Sequence, residues 1–299
     1  MKMPAVKDSY VVGVDVGGSH LSSAVVEVAS GALCTVPVTT PVDSRAGAYE
    51  IVSAWASNVR STIDSFGGEV KGVGFAFPGP FDYEKGISKI SGVGKYESVY
   101  GLDVGKSVLR MLPSRDMELR FVNDASAFAL GEAFYGEARG DDRLLAITLG
   151  TGVGSGFVAG GKLVTDSPDV PPNGWVYCLP FEGGTADDAF STRWIVRRYS
   201  ELAGEVLSGA KDVADRCADD RAARQVFEEY GLRLGAFLIP LVERFGCSSV
   251  VLGGNISKSF PLFSPALESV VSEGGMTAKV RVSSLIDNAA MLGAASLFQ

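Results

Sequence analysis

The chain has 299 residues, with 27 Lys and Arg against 35 Asp and Glu, giving a formal net charge of −8 with its single His neutral. That length buries a sizeable core as one large domain or two ordinary ones, and a pI of about 4.9 argues against a nucleic-acid partner, which needs a basic face. One histidine excludes zinc centres built on two or more His. Cys34, Cys178, Cys217 and Cys247 lie at least 30 residues apart, so no CxxC ligand pair exists. Lone cysteines of this kind fit a reducing cytoplasm, and the first ten residues, MKMPAVKDSY, lack the apolar core of a signal peptide.

In chain order, residues 10–16 (YVVGVDV) predict a strand that Gly17-Gly18-Ser19 breaks, followed by a second strand over 21–28 and a third near 32–38. Ile51, Trp55, Val59 and Ile63 recur every four residues, which predicts a helix over 46–66 closed by Gly67-Gly68. A strand follows over 70–77. Residues 78–102 are rich in Gly and Pro and read as a long irregular loop, a length that is usually functional in a compact domain. A short helix is expected near 103–111, a strand at 119–122 and a helix over 124–137. Leu144–Gly161 is uncharged for 18 residues, the crude length of a membrane span. Its six glycines and its Val, Ile, Thr and Phe favour two strands instead, 143–149 and 153–159, joined by Gly150-Thr151-Gly152. Gly160-Gly161 then turns into a third short strand. This repeats the opening layout and suggests two related α/β halves. A helix over 219–245, bent at Pro240, precedes a strand at 249–252, a turn at Gly253-Gly254-Asn255, a strand at 279–283 and a closing helix over 287–298. No linker or low-complexity tract is visible, and with the first strand at Tyr10 no separate DNA-binding module is expected.

Three small-residue turns follow strands, at Gly17, Gly150 and Gly253. Glycine lets backbone N–H groups close on a phosphate; it also simply tightens hairpins. The turns are neither Walker loops nor dinucleotide loops, since no GxxxxGK[ST] occurs and no GxGxxG opens a helix. Asp15, two residues before the first turn, suits a Mg²⁺ held through water beside a nucleotide, or a turn stabilised by its own carboxylate. His20 has no partner spacing for a catalytic role. Asn123-Asp124 stands where a strand meets a helix. There Asp124 serves either as an N-cap or as a general base accepting a hydroxyl proton.

Together these segments resemble the ROK family of sugar kinases and repressors. Gly13–His20 (GVDVGGSH) resembles its first phosphate motif, and Gly72–Asp82 (GVGFAFPGPFD) its sugar loop. Val122–Glu132 (VNDASAFALGE) resembles the catalytic-Asp segment, Thr148–Val164 the second phosphate motif and Val251–Ser257 (VLGGNIS) the adenosine turn. The resemblance implies a duplicated actin-like ATPase (ribonuclease H-like) α/β fold, two lobes around a cleft. Residues 1–122 plus 287–299 would form the first lobe and 123–286 the second. It implies Asp124 as base, Asn123 on sugar hydroxyls and Gly79 lining the sugar loop. Asp15 with Gly17, Gly18, Ser19, Gly150, Thr151 and Gly152 would place Mg-ATP, and Gly253 and Gly254 would meet the nucleoside. Dimers are the family expectation.

One region departs from the family pattern. Where ROK kinases usually carry GExGH and a cysteine zinc cluster, this chain has Asn173–Glu182 (NGWVYCLPFE). Trp175 replaces the sugar-binding Glu and Cys178 the His, so structural zinc is not expected. Trp175 would stack on a sugar face or serve packing. Asp187, with Ser191 following at the family's spacing, takes the place of the later sugar-contacting Glu. The expected function is ATP-dependent phosphorylation of a sugar by a glucokinase-like hexose kinase, with no nucleic acid or membrane partner. The alternative is a non-catalytic sugar- or nucleotide-binding sensor; the repressor branch is disfavoured because nothing precedes Tyr10 that would form a winged helix.

Overall fold

The structure is a computed structural model and describes residues 9–114 and 116–299. Most of the segment read as lacking a signal peptide lies outside the described residues. Two compact units emerge, Met1–Tyr135 with Asn288–Gln299, and Gly136–Asp287.

The first unit opens with β1 (Tyr10–Val16), β2 (His20–Glu27), β3 (Ala32–Leu33) and β4 (Val38–Pro41). The single strand expected near 32–38 is therefore two, both paired with β2. Pro37, which has no N–H to give a ladder, lies in the gap between them. Next come α1 (Ala48–Phe66), β5 (Gly72–Phe77), β6 (Phe81–Asp82), β7 (Ile87–Ser88), α2 (Val104–Leu109), β8 (Glu118–Asn123) and α3 (Asp124–Phe134). The sheet runs β3-β2-β1-β5-β8, with β1–β2 antiparallel and β5 and β8 parallel to β1. All six residues of β5 are buried, as expected of a parallel strand covered on both faces. α1 supplies one cover through Ile51, Trp55 and Val59, and Glu50 accepts from the Gly47 N–H (3.0 Å) at its start.

In the second unit the elements are β9 (Arg143–Leu149), β10 (Val153–Ala159), β11 (Lys162–Leu163), β12 (Pro180–Phe181), β13 (Gly184–Thr185), α4 (Ala186–Phe190), α5 (Thr192–Ala203), α6 (Ala210–Asp215), α7 (Arg221–Phe245), β14 (Ser249–Gly253), α8 (Phe260–Glu273) and β15 (Lys279–Val282). Its sheet, β11-β10-β9-β14-β15, follows the path of the first, hairpins on one side and parallel strands on the other. The duplication read from the glycine turns is thus a duplication of topology. Leu144–Gly161 forms strands, and among the described residues no helix is long and apolar enough to cross a membrane. α7 runs without a break through Pro240. α5 and α8 are not legible in the sequence. α8 starts Phe260-Pro261 and carries Pro265, which hides its periodicity.

The chain's last helix, α9 (Ala289–Ser296), returns to the first unit. Glycines let it in. A Cβ at Gly13 would stand 2.3 Å from the Met291 carbonyl oxygen, and one at Gly74 2.0 Å from that of Ala294. On its other side α9 meets α3, where a Cβ at Gly131 would lie 2.1 Å from the Ala289 oxygen and one at Gly293 1.7 Å from the Ala127 oxygen. This packing binds α3 to the first unit. The units accordingly divide after Tyr135 and after Asp287. The sequence reading divides them after Val122 and after Ile286.

Gly74→Ala is expected to lower stability by about 1–3 kcal/mol, the usual cost of overpacking a tight contact. The check is the denaturant midpoint; an unchanged midpoint would contradict the seat described for α9.

Candidate active site

Asn123 and Asp124 divide two jobs between them. The Asn123 Oδ1 accepts from the Ala125 (3.1 Å) and Ser126 (3.3 Å) N–H groups, so Asn123 is the cap of α3. Asp124 is the first helical residue, and its Oδ1 accepts from the Ala125 N–H (2.8 Å). Solvent reaches Asp124, yet the protein crowded around it removes enough hydration to raise its carboxyl above the ordinary range. The Ala125 N–H, the charge of Lys95 and the Asn123 amide pull the other way without cancelling this. A carboxylate of raised basicity that still faces water is suited to take a proton.

The sugar-loop segment sits beside this pair. Tyr83, just after β6, donates its hydroxyl to the Phe77 carbonyl (3.2 Å) and accepts from Asn123 Nδ2 (3.2 Å). A Cβ at Gly79 would stand 3.2 Å from the Tyr83 Oη, and the Gly79–Pro80 peptide is cis. Burial drives the Tyr83 phenol well up, Asn123 opposes this, and the Asp124 charge adds to it. The phenol is therefore neutral and holds the Asn123 amide in place. Sequence reasoning misses Tyr83. Its one signal is an aromatic residue with a polar end inside the loop already marked as functional.

The first glycine turn ties its carbonyls back into the protein. Gly17 O accepts from the Tyr96 hydroxyl (2.6 Å) and Ser19 O from the Val42 N–H (2.9 Å). Gly17 N–H donates to His20 O (2.9 Å), while the N–H groups of Gly18 and Ser19 meet no protein acceptor among the described residues. Asp15 lies half-buried on β1, in register with Ser22 and Ala76. His20 is exposed, its Nδ1 3.2 Å from the Ser19 Oγ.

The second turn repeats this plan with other residues. Gly150 N–H donates to Gly152 O (3.0 Å), and Gly150 O accepts from the Thr192 N–H (2.8 Å) and hydroxyl (3.0 Å). Thr151 O accepts from Arg193 Nη1 (3.4 Å). The Thr151 and Gly152 N–H groups are again left without a protein acceptor among the described residues. Such paired free N–H groups form an anion-binding concavity. At the end of β14, Gly254 (φ 80°) presses on β9, where a Cβ would lie 2.3 Å from the Leu149 oxygen. A cavity of about 300 Å³ is lined by Gly253, Gly254, Ser257, Lys258 and Val282. A neighbouring cavity of about 570 Å³ shares Lys258 with it and reaches Asn255, Lys211 and Thr192. Thr192, which holds the second turn, therefore also lines a space of the size that takes a nucleoside.

A family model described as "ROK family" matches residues 11–299. The chain belongs to the ROK family. It is similar to the glucokinase of Thermotoga maritima, 30% identical over 99% of this chain and 98% of that protein. It is also 27% identical to the N-acetyl-D-glucosamine kinase of Haemophilus influenzae over 96% of this chain and 98% of the relative. In fold it is similar to the ROK hexokinase of Thermus thermophilus, with a TM-score of 0.81 at 22% identity, covering 96% of this chain and 97% of that one. The actin-like ATPase fold expected of a ROK protein is the fold seen.

The departures from the ROK pattern are local. Trp175 is half-buried, its ring 6.0 Å from that of Tyr177, and Ser155 fixes the backbone there by donating to Gly174 O (2.6 Å) and accepting from the Val176 N–H (3.0 Å). Cys178 is exposed. Asp187 adjoins this segment, its N–H donating to Tyr177 O (3.0 Å). Its carboxylate is turned elsewhere. Oδ1 accepts from the Val153 N–H (2.8 Å) and Oδ2 pairs with Arg193 (2.6 Å). Asp187 thus braces the second glycine turn through both of its carboxylate oxygens, a different task from the sugar contact that the resemblance implies for it. Among the described residues no group of three or more His, Cys, Asp or Glu is placed to hold a metal ion.

Asp187→Ala should therefore weaken ATP binding by about tenfold, the loss of one or two charge-assisted hydrogen bonds, with sugar affinity little changed. Calorimetry with each ligand separates the two; a loss confined to sugar affinity would contradict the bracing role.

Proposed function

We propose that this protein transfers the γ-phosphoryl group of ATP to a hydroxyl of a hexose or hexose derivative, with Asp124 as the general base. The observation that carries the reading is the Asp124 carboxylate. It is relieved of capping by Asn123, open to solvent and raised in basicity by the protein around it. A sensor has no need of such a group. The names of the similar proteins, a glucokinase and an N-acetyl-D-glucosamine kinase, fit the same substrate class.

In this reading Asp124 orients the attacking hydroxyl and takes its proton. Asn123, whose Oδ1 is spent on the helix, uses its Nδ2 to hold Tyr83 and to act on the Asp124 carboxylate beside the sugar hydroxyls it would meet. Gly79 lines the sugar loop. The free N–H pairs at Gly18-Ser19 and Thr151-Gly152 receive phosphate oxygens, and the turn at Gly253-Gly254 with its cavities receives the nucleoside. The donor set fits a Mg²⁺ that arrives with the nucleotide rather than a resident ion, since no carboxylate cage exists among the described residues. Asp15 would hold that ion through water. When bound, it neutralises charge on the phosphates. Catalysis then rests on positioning and charge stabilisation. Trp175 and Tyr177 offer a ring surface for a sugar face.

ADP release over a panel of hexoses, amino sugars and polyols tests the proposal. Asp124→Asn is expected to lower kcat by about 10³-fold while calorimetric ATP binding persists. Tight sugar binding with no ADP release from the wild-type protein would favour the sensor instead. Because the Asp124 pKa is raised, activity should rise with pH through a limb lying above the ordinary aspartate value of about 4. Below that limb the carboxyl is protonated and accepts nothing. A profile that stays flat down to a pH of about 4, the ordinary aspartate value, would contradict the assignment.

A further inference from the structure

Nothing in the sequence singles out Lys95, and the catalytic roles assigned so far do not use it. It sits in the loop between β7 and α2. A Cβ built on Gly18 would lie 3.7 Å from the Lys95 Cδ and 3.9 Å from its Nζ, so its side chain lies over the first glycine turn. There the Gly18 and Ser19 N–H groups have no protein acceptor among the described residues. Lys95 also makes no ion pair with a carboxylate among the described residues, and its charge acts on Asp124. An unpaired cation beside two unfilled N–H donors, within electrostatic reach of the general base, marks the place where negative charge is to be received.

The loop is built to hold this position. The Glu97 carboxylate accepts from the N–H groups of Gly92 (3.0 Å), Val93 (2.8 Å) and Gly94 (2.9 Å), and these bonds keep it below the usual carboxylate range. Tyr96 is fully buried in a left-handed conformation (φ 57°), its ring packed on Trp55 at 5.4 Å. Its hydroxyl donates to Gly17 O (2.6 Å) and its N–H to Ser44 O (2.7 Å). The residue next to Lys95 is thus bolted to the turn that Lys95 overhangs.

We infer that Lys95 is a catalytic residue whose ammonium contacts the phosphoryl group in transfer, above the Gly18-Ser19 turn and beside Asp124. This rests on the kinase reading. The hydroxyl proton passes to Asp124, the new O–P bond forms, and the bond from phosphorus to the bridging oxygen breaks with its electron pair leaving on ADP. Lys95 neither gains nor loses a proton; it offsets charge on the equatorial oxygens. The role is the general one of a fixed cation in phosphoryl transfer.

The test compares the full-length wild-type protein with Lys95→Met and Lys95→Arg, measuring ADP release against pH. Lys95→Met should lower kcat by about 10²-fold or more, with the KM for sugar within about twofold. Among the described residues, the charge of Lys95 acts on Asp124 and the charge of Asp124 acts on Tyr83. Removing the positive one should move the acidic limb to higher pH. Lys95→Arg keeps the charge, so its limb should stay in place and its kcat should recover most of the loss; this variant also shows that the loop tolerates replacement. An active wild type with kcat of Lys95→Met within about threefold, or with its limb unmoved, overturns the proposal alone. A wild type inactive on every sugar overturns it together with the kinase reading.

Discussion

The capping of one helix governs the chemistry of this molecule. A helix that starts directly at the end of a strand presents N–H groups that need an acceptor, and Asn123 supplies it. If Asp124 did this work, its carboxylate would be spent, and its charge would be stabilised by the backbone rather than poised against burial. With the cap one residue earlier, Asp124 shares the Ala125 N–H with Asn123 and its carboxylate stays open to solvent at the helix mouth. Tyr83 completes the arrangement by gripping the other end of the Asn123 amide. The seat of α3 against α9, made by Gly131 and Gly293, then fixes where that mouth lies within the first unit.

The two glycine turns show how a duplicated backbone keeps a property while its side chains diverge. In each, carbonyls are drawn into the protein so that consecutive N–H groups are left over. In the first unit a tyrosine hydroxyl and the Val42 N–H do the drawing. In the second it is done by Thr192 and Arg193 at the start of α5, with Asp187 taking the Val153 N–H. Only the glycines and the flanking strands are common to both, which is why the repeat is visible in the sequence as a layout rather than as an identity.

That contrast also explains what the sequence could disclose. Apolar runs ended by small residues mark strand ends whatever lies around them, so Gly17, Gly150, Gly253 and the Asn123-Asp124 junction are legible. Tyr83 and Lys95 are not, because their importance comes from contacts made across the chain. Tyr96, which fixes Lys95, bonds a residue 79 positions away. The bracing task of Asp187 is hidden from the sequence for a related reason. Its position in the motif matches the family, but its carboxylate is claimed by Arg193 and the Val153 N–H. A strand-to-helix junction such as Asn123-Asp124 looks like a boundary in sequence, while the glycine-mediated packing of α3 on α9 joins segments far apart along the chain.

The account is tested most directly by a crystal structure of the protein with a phosphorylatable hexose and a non-hydrolysable ATP analogue. It predicts one sugar hydroxyl within about 3 Å of an Asp124 carboxylate oxygen, hydrogen-bond reach for proton transfer. A bound sugar with every hydroxyl out of reach of Asp124, its carboxylate folded back as a cap of α3, would contradict it.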